Sequence, residues 1–192
     1  MQISSNSGKI IALTGAIASG KSYVLSLFER LGFQTINADS LVKELYLKPE
    51  IVNQIAKLMP EAVKNQKVEL EIVRKILSEN PELIYKIQDL MLPYLKEKRK
   101  ELFTKNKGKA IIYEIPLLFE TNQHNEFDLV IALVCPESVR RKRAIDKGFQ
   151  PEMFDFLNGQ QTTDEVRKAG ADIIVDTSKT KAAIEQQIKG LT

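Results

Sequence analysis

Residues Gly15-Ala16-Ile17-Ala18-Ser19-Gly20-Lys21-Ser22 match the pattern G-x-x-x-x-G-K-[ST] without a mismatch. Each residue type in that spacing has a task. Gly15 and Gly20 let the backbone curl round a phosphate and aim its N–H groups inward. A helix starting near Lys21 adds the positive end of its dipole. The Lys21 ammonium reaches the outer phosphates of a nucleoside triphosphate, and the Ser22 hydroxyl is a hard oxygen ligand for Mg²⁺. The loop therefore predicts triphosphate binding through residues 15–22, and by itself leaves NTPases, GTPases and kinases open.

Other reactive residues narrow the choice. No N-K-x-D base-recognition motif occurs, which argues against a GTPase. An apolar run at 110–113 ends in an acid, Glu114, and continues Ile115-Pro116-Leu117-Leu118-Phe119-Glu120. Cations cluster at Arg140, Arg141, Lys142 and Arg143. His124 is the only histidine and Cys135 the only cysteine. Neither a histidine–cysteine metal site nor an internal disulfide is available. His124 is expected at the surface, and Cys135 as a small residue closing a buried strand.

The elements that must carry these residues follow from periodicity. Residues 10–13 form a short apolar run ending in the glycine loop, which predicts a buried strand. Val24, Leu27, Phe28 and Leu31 recur at helical spacing up to Gly32. Thr35 and Ile36 make a brief strand, and Asn37-Ala38-Asp39-Ser40 reads as a strand end capping a helix. Residues 41–103 are patterned as helix, broken at Pro60, Pro81 and Pro93. Strands are predicted at 110–114, 129–134 and 173–175, and helices at 137–147 and 151–170. Ile184, Ile188 and Leu191 mark a closing helix. Tyr85, Tyr94 and Phe103 are expected to pack between helices. Strands alternating with helices imply a parallel sheet covered on both faces. The helical stretch between the second and third strands is too long for one crossover, so it predicts an insert over the carboxyl edge of the sheet.

Composition bounds the rest. The 192 residues are 43% hydrophobic and 28% charged, with a formal net charge of +3. That suits one globular domain and is too mild to argue for nucleic acid. Residues 1–9 are polar, with no apolar core of a signal peptide, and no run nears the roughly 20 residues a membrane span needs. A cytoplasmic protein, monomeric or weakly self-associating and without membrane partner, is the expectation.

The loop at 15–22, Asn37-Ala38-Asp39, residues 114–120 and the tail from Gln161 through Arg167 to Ala171-Asp172-Ile173-Ile174-Val175-Asp176 together resemble the dephospho-coenzyme A kinase family. The likeness runs from about residue 9 to 178, with the motifs in the family's order. It implies a three-layer α/β P-loop NTPase fold: a core at about 9–40, 108–136 and 171–192, a helical substrate-binding insert at 41–107 and a lid at 137–170. It also implies transfer of a phosphoryl group from ATP, with Mg²⁺, to the ribose 3′-hydroxyl of dephospho-CoA. Asp39 matches the family's catalytic aspartate, suited to orient the acceptor hydroxyl and take its proton. Thr14 matches another active-site position, and Glu114, Pro116 and Leu117 fall on the acceptor side. The chain departs from the pattern at Asn37, Glu114, Leu92, Asp146 and Leu157, the last two where lid arginines are frequent. Arg143 is expected to cover the γ-phosphate instead, with Arg167 next in line. Another small P-loop kinase, of nucleoside monophosphates or metabolites, and a nucleotide-binding relative with weakened catalysis are the competing readings.

Overall fold

A computed structural model describes residues 2–80, 82–105 and 108–192, with the side chains of Asp39 and Ser78 outside the description. The chain divides into two compact units, one of residues 1–37 and 106–192 and one of residues 38–105.

The first unit is built on strands β1 (Ile10–Gly15), β2 (Gln34–Asn37), β5 (Ile111–Glu114), β6 (Leu129–Val134) and β7 (Ile173–Asp176). They pair in the order β2-β5-β1-β6-β7, every neighbouring pair parallel. All the carboxyl ends therefore lie on one edge, where Gly15, Asn37, Glu114, Val134 and Asp176 terminate their strands. Successive residues of a strand face opposite ways. Ile11 and Leu13 of β1, Ile112 of β5, and Ile131 and Leu133 of β6 share one apolar cluster with α1 (Lys21–Arg30) and α9 (Lys181–Leu191). That cluster contains Val24, Leu27 and Phe28 from α1, as the helical spacing predicted, and Ile184 and Ile188 from α9. Near β6 lies α8 (Asp164–Gly170). The chain leaves β1 towards β2 on one side and returns to β6 and β7 on the other. The crevice at the end of β1 is thus where such a sheet takes ligands.

The second unit holds α2 (Ala38–Leu45), α3 (Pro49–Leu58), α4 (Leu70–Glu79) and α5 (Leu83–Lys105) round its own core, with Ile51, Ile55, Met59 and Ala62 almost fully buried. Three expectations fail in this unit. Pro93 sits inside α5 without ending it. The ring removes one backbone bond, but Ile87, Met91, Tyr94 and Leu95 pack on either side and hold the helix together. Residues 63–68 are a hairpin, β3 (Val63–Lys64) with β4 (Lys67–Val68), not helix. Asn65 and Gln66 form its turn at φ 49° and 60°, the left-handed pair that a tight hairpin requires. Tyr94 packs on the core of the unit, whereas Tyr85 is 55% exposed.

Candidate active site

The phosphate loop lies between β1 and α1. Gly15 must be glycine because a Cβ there would stand 2.9 Å from the Leu133 Cβ and 2.7 Å from the Ser19 Oγ. Gly20 caps α1 at φ 94°, a left-handed value that costs a glycine little. Lys21 opens the helix, and its ammonium donates to the carbonyls of Gly15 (2.8 Å) and Ala16 (3.1 Å). The charge is thereby folded over the mouth of the loop. Ser22, the second residue of α1, is exposed. Thr14 is buried beneath the loop in β1.

Elements distant in sequence brace the loop. The Thr177 hydroxyl donates to the Ser19 carbonyl at 2.7 Å. Arg140, in α6 (Glu137–Ile145), sends Nη1 to the Ile17 carbonyl (3.3 Å) and the Asn158 side-chain oxygen (2.7 Å), and Nε to the Cys135 carbonyl (3.0 Å). Its burial pulls the guanidinium's basicity down, and the Asp164 carboxylate acts the other way. The Ile17 N–H donates to Gln161 Oε1 at 2.7 Å.

Arg143, expected over the γ-phosphate, is engaged elsewhere. Its Nη2 donates to the Thr177 carbonyl at 2.7 Å and Nη1 lies 3.5 Å from the Cys135 sulfur. Arg140 and Arg143 share an inward face, as their spacing predicts, but the contact to the loop is Arg140's. Arg141 pairs with Asp155 of α7 (Pro151–Gly159) and Lys142 is exposed. Arg167 is engaged elsewhere in this arrangement as well. It is 1% exposed, bonded to Asp164 (3.0 Å) and 3.5 Å from Glu120.

The predicted single helix at 151–170 is two, α7 and α8, because Thr163 caps the second by accepting from the Val166 N–H. The linker between them is anchored by Glu120, whose Oε1 accepts from the Thr162 N–H at 2.7 Å. Phe119 packs so closely on Gly170 that a Cβ there would come within 2.5 Å of its ring. Residues 114–120 thus do two jobs. Glu114, 3% exposed at the end of β5, accepts from the Asn37 amide at 2.7 Å across the adjacent strand. Phe119 and Glu120 secure the segment that reaches the loop. Pro116 and Leu117 are half-buried in the turn between them. His124 is also half-buried rather than at the surface, its ring 5.5 Å from that of Phe119.

Beside the loop is a cavity of about 660 Å³ whose lining includes Cys135, Pro136, Arg140, Gln161, Arg167 and Asp176. Cys135 is buried, and burial pushes its thiol pKa up. Ser178 donates twice to Asp176, holding that carboxyl below its ordinary value. Gln161, Asn158, Thr177 and Glu120 were not foreseen as parts of the site. Gln161 and Ile17 are 144 residues apart, and no local spacing links them.

Asp39 is the second residue of α2, in the second unit, and its side chain lies outside the described residues. No group of three histidine, cysteine, aspartate or glutamate residues that could hold a metal occurs among the described residues. A lone hydroxyl such as that of Ser22 would suit a divalent ion that takes its other ligands from phosphates and water. Among those residues, no helix is long and apolar enough to cross a membrane.

A phosphate loop at the carboxyl edge of a five-stranded parallel sheet, braced by arginine, defines a P-loop protein of the α/β class. The family model of dephospho-CoA kinase matches residues 9–182. The dephospho-CoA kinase of Bartonella quintana is 33% identical over 184 residues, covering 94% of each chain. That of Rickettsia felis is 31% identical over 186 residues, also covering 94% of each. Among solved structures, TT1252 from Thermus thermophilus superposes with TM-score 0.79 at 21% identity, over 94% of this chain and 93% of that one. The dephospho-CoA kinase from Campylobacter jejuni does so with TM-score 0.67 at 23% identity, over 94% of each. This chain belongs to the dephospho-CoA kinase family.

Proposed function

We propose that the protein transfers the γ-phosphoryl group of ATP to the ribose 3′-hydroxyl of dephospho-CoA, giving coenzyme A. The observation that carries the reading is the intact phosphate loop, with Lys21 poised at its mouth, in a chain of this family. The cavity beside the loop has room for the nucleoside part of ATP, with the phosphates running into residues 15–22. Lys21 then exchanges its two carbonyl partners for phosphate oxygens. Phosphoryl transfer passes through an in-line transition state with charge spread over the oxygens, so positioning and fixed positive charge supply most of the catalysis. Arg140, already on the loop, and Lys21 are the nearest sources of that charge. Arg143 acts one step back, through Thr177. When bound, Mg²⁺ would be held by Ser22 and the phosphates and would neutralise part of their charge.

Asp39 is the acceptor-side carboxylate: it orients the 3′-hydroxyl and receives its proton as the new P–O bond forms and the bond to ADP breaks. Thr14, Glu114, Pro116 and Leu117 shape the acceptor side. The Asn37 amide donates to Glu114 and offers no competing carboxylate. The reaction is cytoplasmic and the enzyme is a monomer or weak oligomer without nucleic-acid partner. An acceptor screen tests the assignment. With ATP and Mg²⁺, dephospho-CoA should be phosphorylated in strong preference to shikimate, gluconate and nucleoside monophosphates. Preference for any of those overturns it.

A further inference from the structure

Ile17 stands at the tip of the phosphate loop, and both sides of its backbone are held by side chains from the far end of the chain. Its N–H donates to Gln161 Oε1 at 2.7 Å and its carbonyl accepts from Arg140 Nη1 at 3.3 Å. The loop needs such a hold. The next residue, Ala18, has φ 57°, a left-handed value that costs an alanine about 1 kcal/mol or more. Ser19 is fixed by its own bond to the Ala16 carbonyl and by Thr177, which leaves the tip to these two outside partners.

Gln161 itself is on a fixed frame. Its N–H donates to the Asn158 carbonyl at 3.2 Å, and the next N–H, that of Thr162, donates to Glu120. The Asn158 side chain accepts from Arg140 and donates to Glu137. Gln161 and Arg140 both line the cavity beside the loop.

We propose that Gln161 is a positioning residue for ATP: its side-chain oxygen fixes the Ile17 peptide, and so presets the curl of the loop before the triphosphate arrives. An N–H turned aside to Gln161 leaves its neighbours to converge on the phosphates, and the ordering cost is met before binding. The proposal rests on the phosphotransfer reading above and concerns only its ATP side.

Gln161→Met, close in size but without an acceptor, and Gln161→Glu, which keeps one, test it in the full chain. Calorimetric titration with Mg²⁺–ATP, alongside kcat and the KM for dephospho-CoA, supplies the readout. We expect Gln161→Met to weaken ATP binding roughly five- to tenfold, the worth of one hydrogen bond. The acceptor KM should stay as in the wild type. Gln161→Glu should bind ATP more tightly than Gln161→Met, since Arg140 and Arg167 line the same cavity and screen its charge. Unchanged ATP affinity in Gln161→Met overturns the proposal. Tighter affinity also overturns it, and makes Gln161 a stand-in for a phosphate oxygen that ATP must displace. Equal loss on ATP and acceptor sides points to general structural damage and likewise contradicts it. If the wild type binds ATP yet makes no coenzyme A, the functional reading fails while the titration still decides the role of Gln161.

Discussion

Replacing Glu120 with leucine should lower the melting temperature by about 6–12 °C. Arg167 is buried with its side chain 2% exposed, and its cationic charge faces two carboxylates, Asp164 at 3.0 Å and Glu120 at 3.5 Å. Stripping a buried cation of its whole counter-charge costs about 3–5 kcal/mol. Asp164 remains, and the Glu120 contact is the longer of the two, so about 2 kcal/mol is the share at stake. The Thr162 N–H loses its acceptor as well, for about 1 kcal/mol more. The total of about 3 kcal/mol converts at 2–4 °C per kcal/mol for a chain of this length. Differential scanning calorimetry of Glu120→Leu, Glu120→Gln and the pair Glu120→Leu with Arg167→Met measures it. The glutamine variant keeps an acceptor for Thr162 and should fall between wild type and leucine. The pair removes the under-compensated charge and should regain part of the loss. A Glu120→Leu melting point within 2 °C of wild type would refute the reasoning, as would simple additivity in the pair.

Other changes have distinct signatures. Lys21→Ala should leave the fold intact and cut phosphoryl transfer roughly 10³-fold, since a unit charge about 4 Å from a phosphate contributes about 4 kcal/mol at a surface-like dielectric. Near-normal turnover in a coupled ADP assay would contradict it. Asp39→Asn should lower kcat by about 10² or more while calorimetry shows ATP binding little changed. Collapse of ATP affinity would move Asp39 to the nucleotide side. Cys135 should react slowly with iodoacetamide near pH 8 and faster as pH rises, because burial raises its thiol pKa and the thiolate is the nucleophile. Labelling of the native protein as fast as of the urea-unfolded chain would count against it.

The sheet was legible because its strands are short apolar runs with unmistakable ends: residues 10–13 stop at a glycine loop and 110–113 at an acid. Local periodicity is enough when both faces are covered. It failed at residues 63–68, where the turn conformation of Asn65 and Gln66, not hydrophobic spacing, determines a hairpin. It failed again at Pro93, where packing on either side overrides the proline. The break between α7 and α8 turned on one capping threonine inside a stretch that otherwise reads as helix. At the site, the loop announced itself, being contiguous. Its braces did not. Spacing told that Arg140 and Arg143 share a face, but not that one meets Ile17 and the other Thr177. The link from Gln161 to Ile17 exists only once the sheet is assembled.

Incubation of the purified protein with ATP, Mg²⁺ and dephospho-CoA, read by mass spectrometry and by the position of the new phosphate, tests the central claim most directly. Coenzyme A carrying the phosphate on the ribose 3′-oxygen should form one for one with ADP, and Lys21→Ala should abolish it. ADP released without any phosphorylated acceptor, or a phosphate placed on another oxygen, would contradict it.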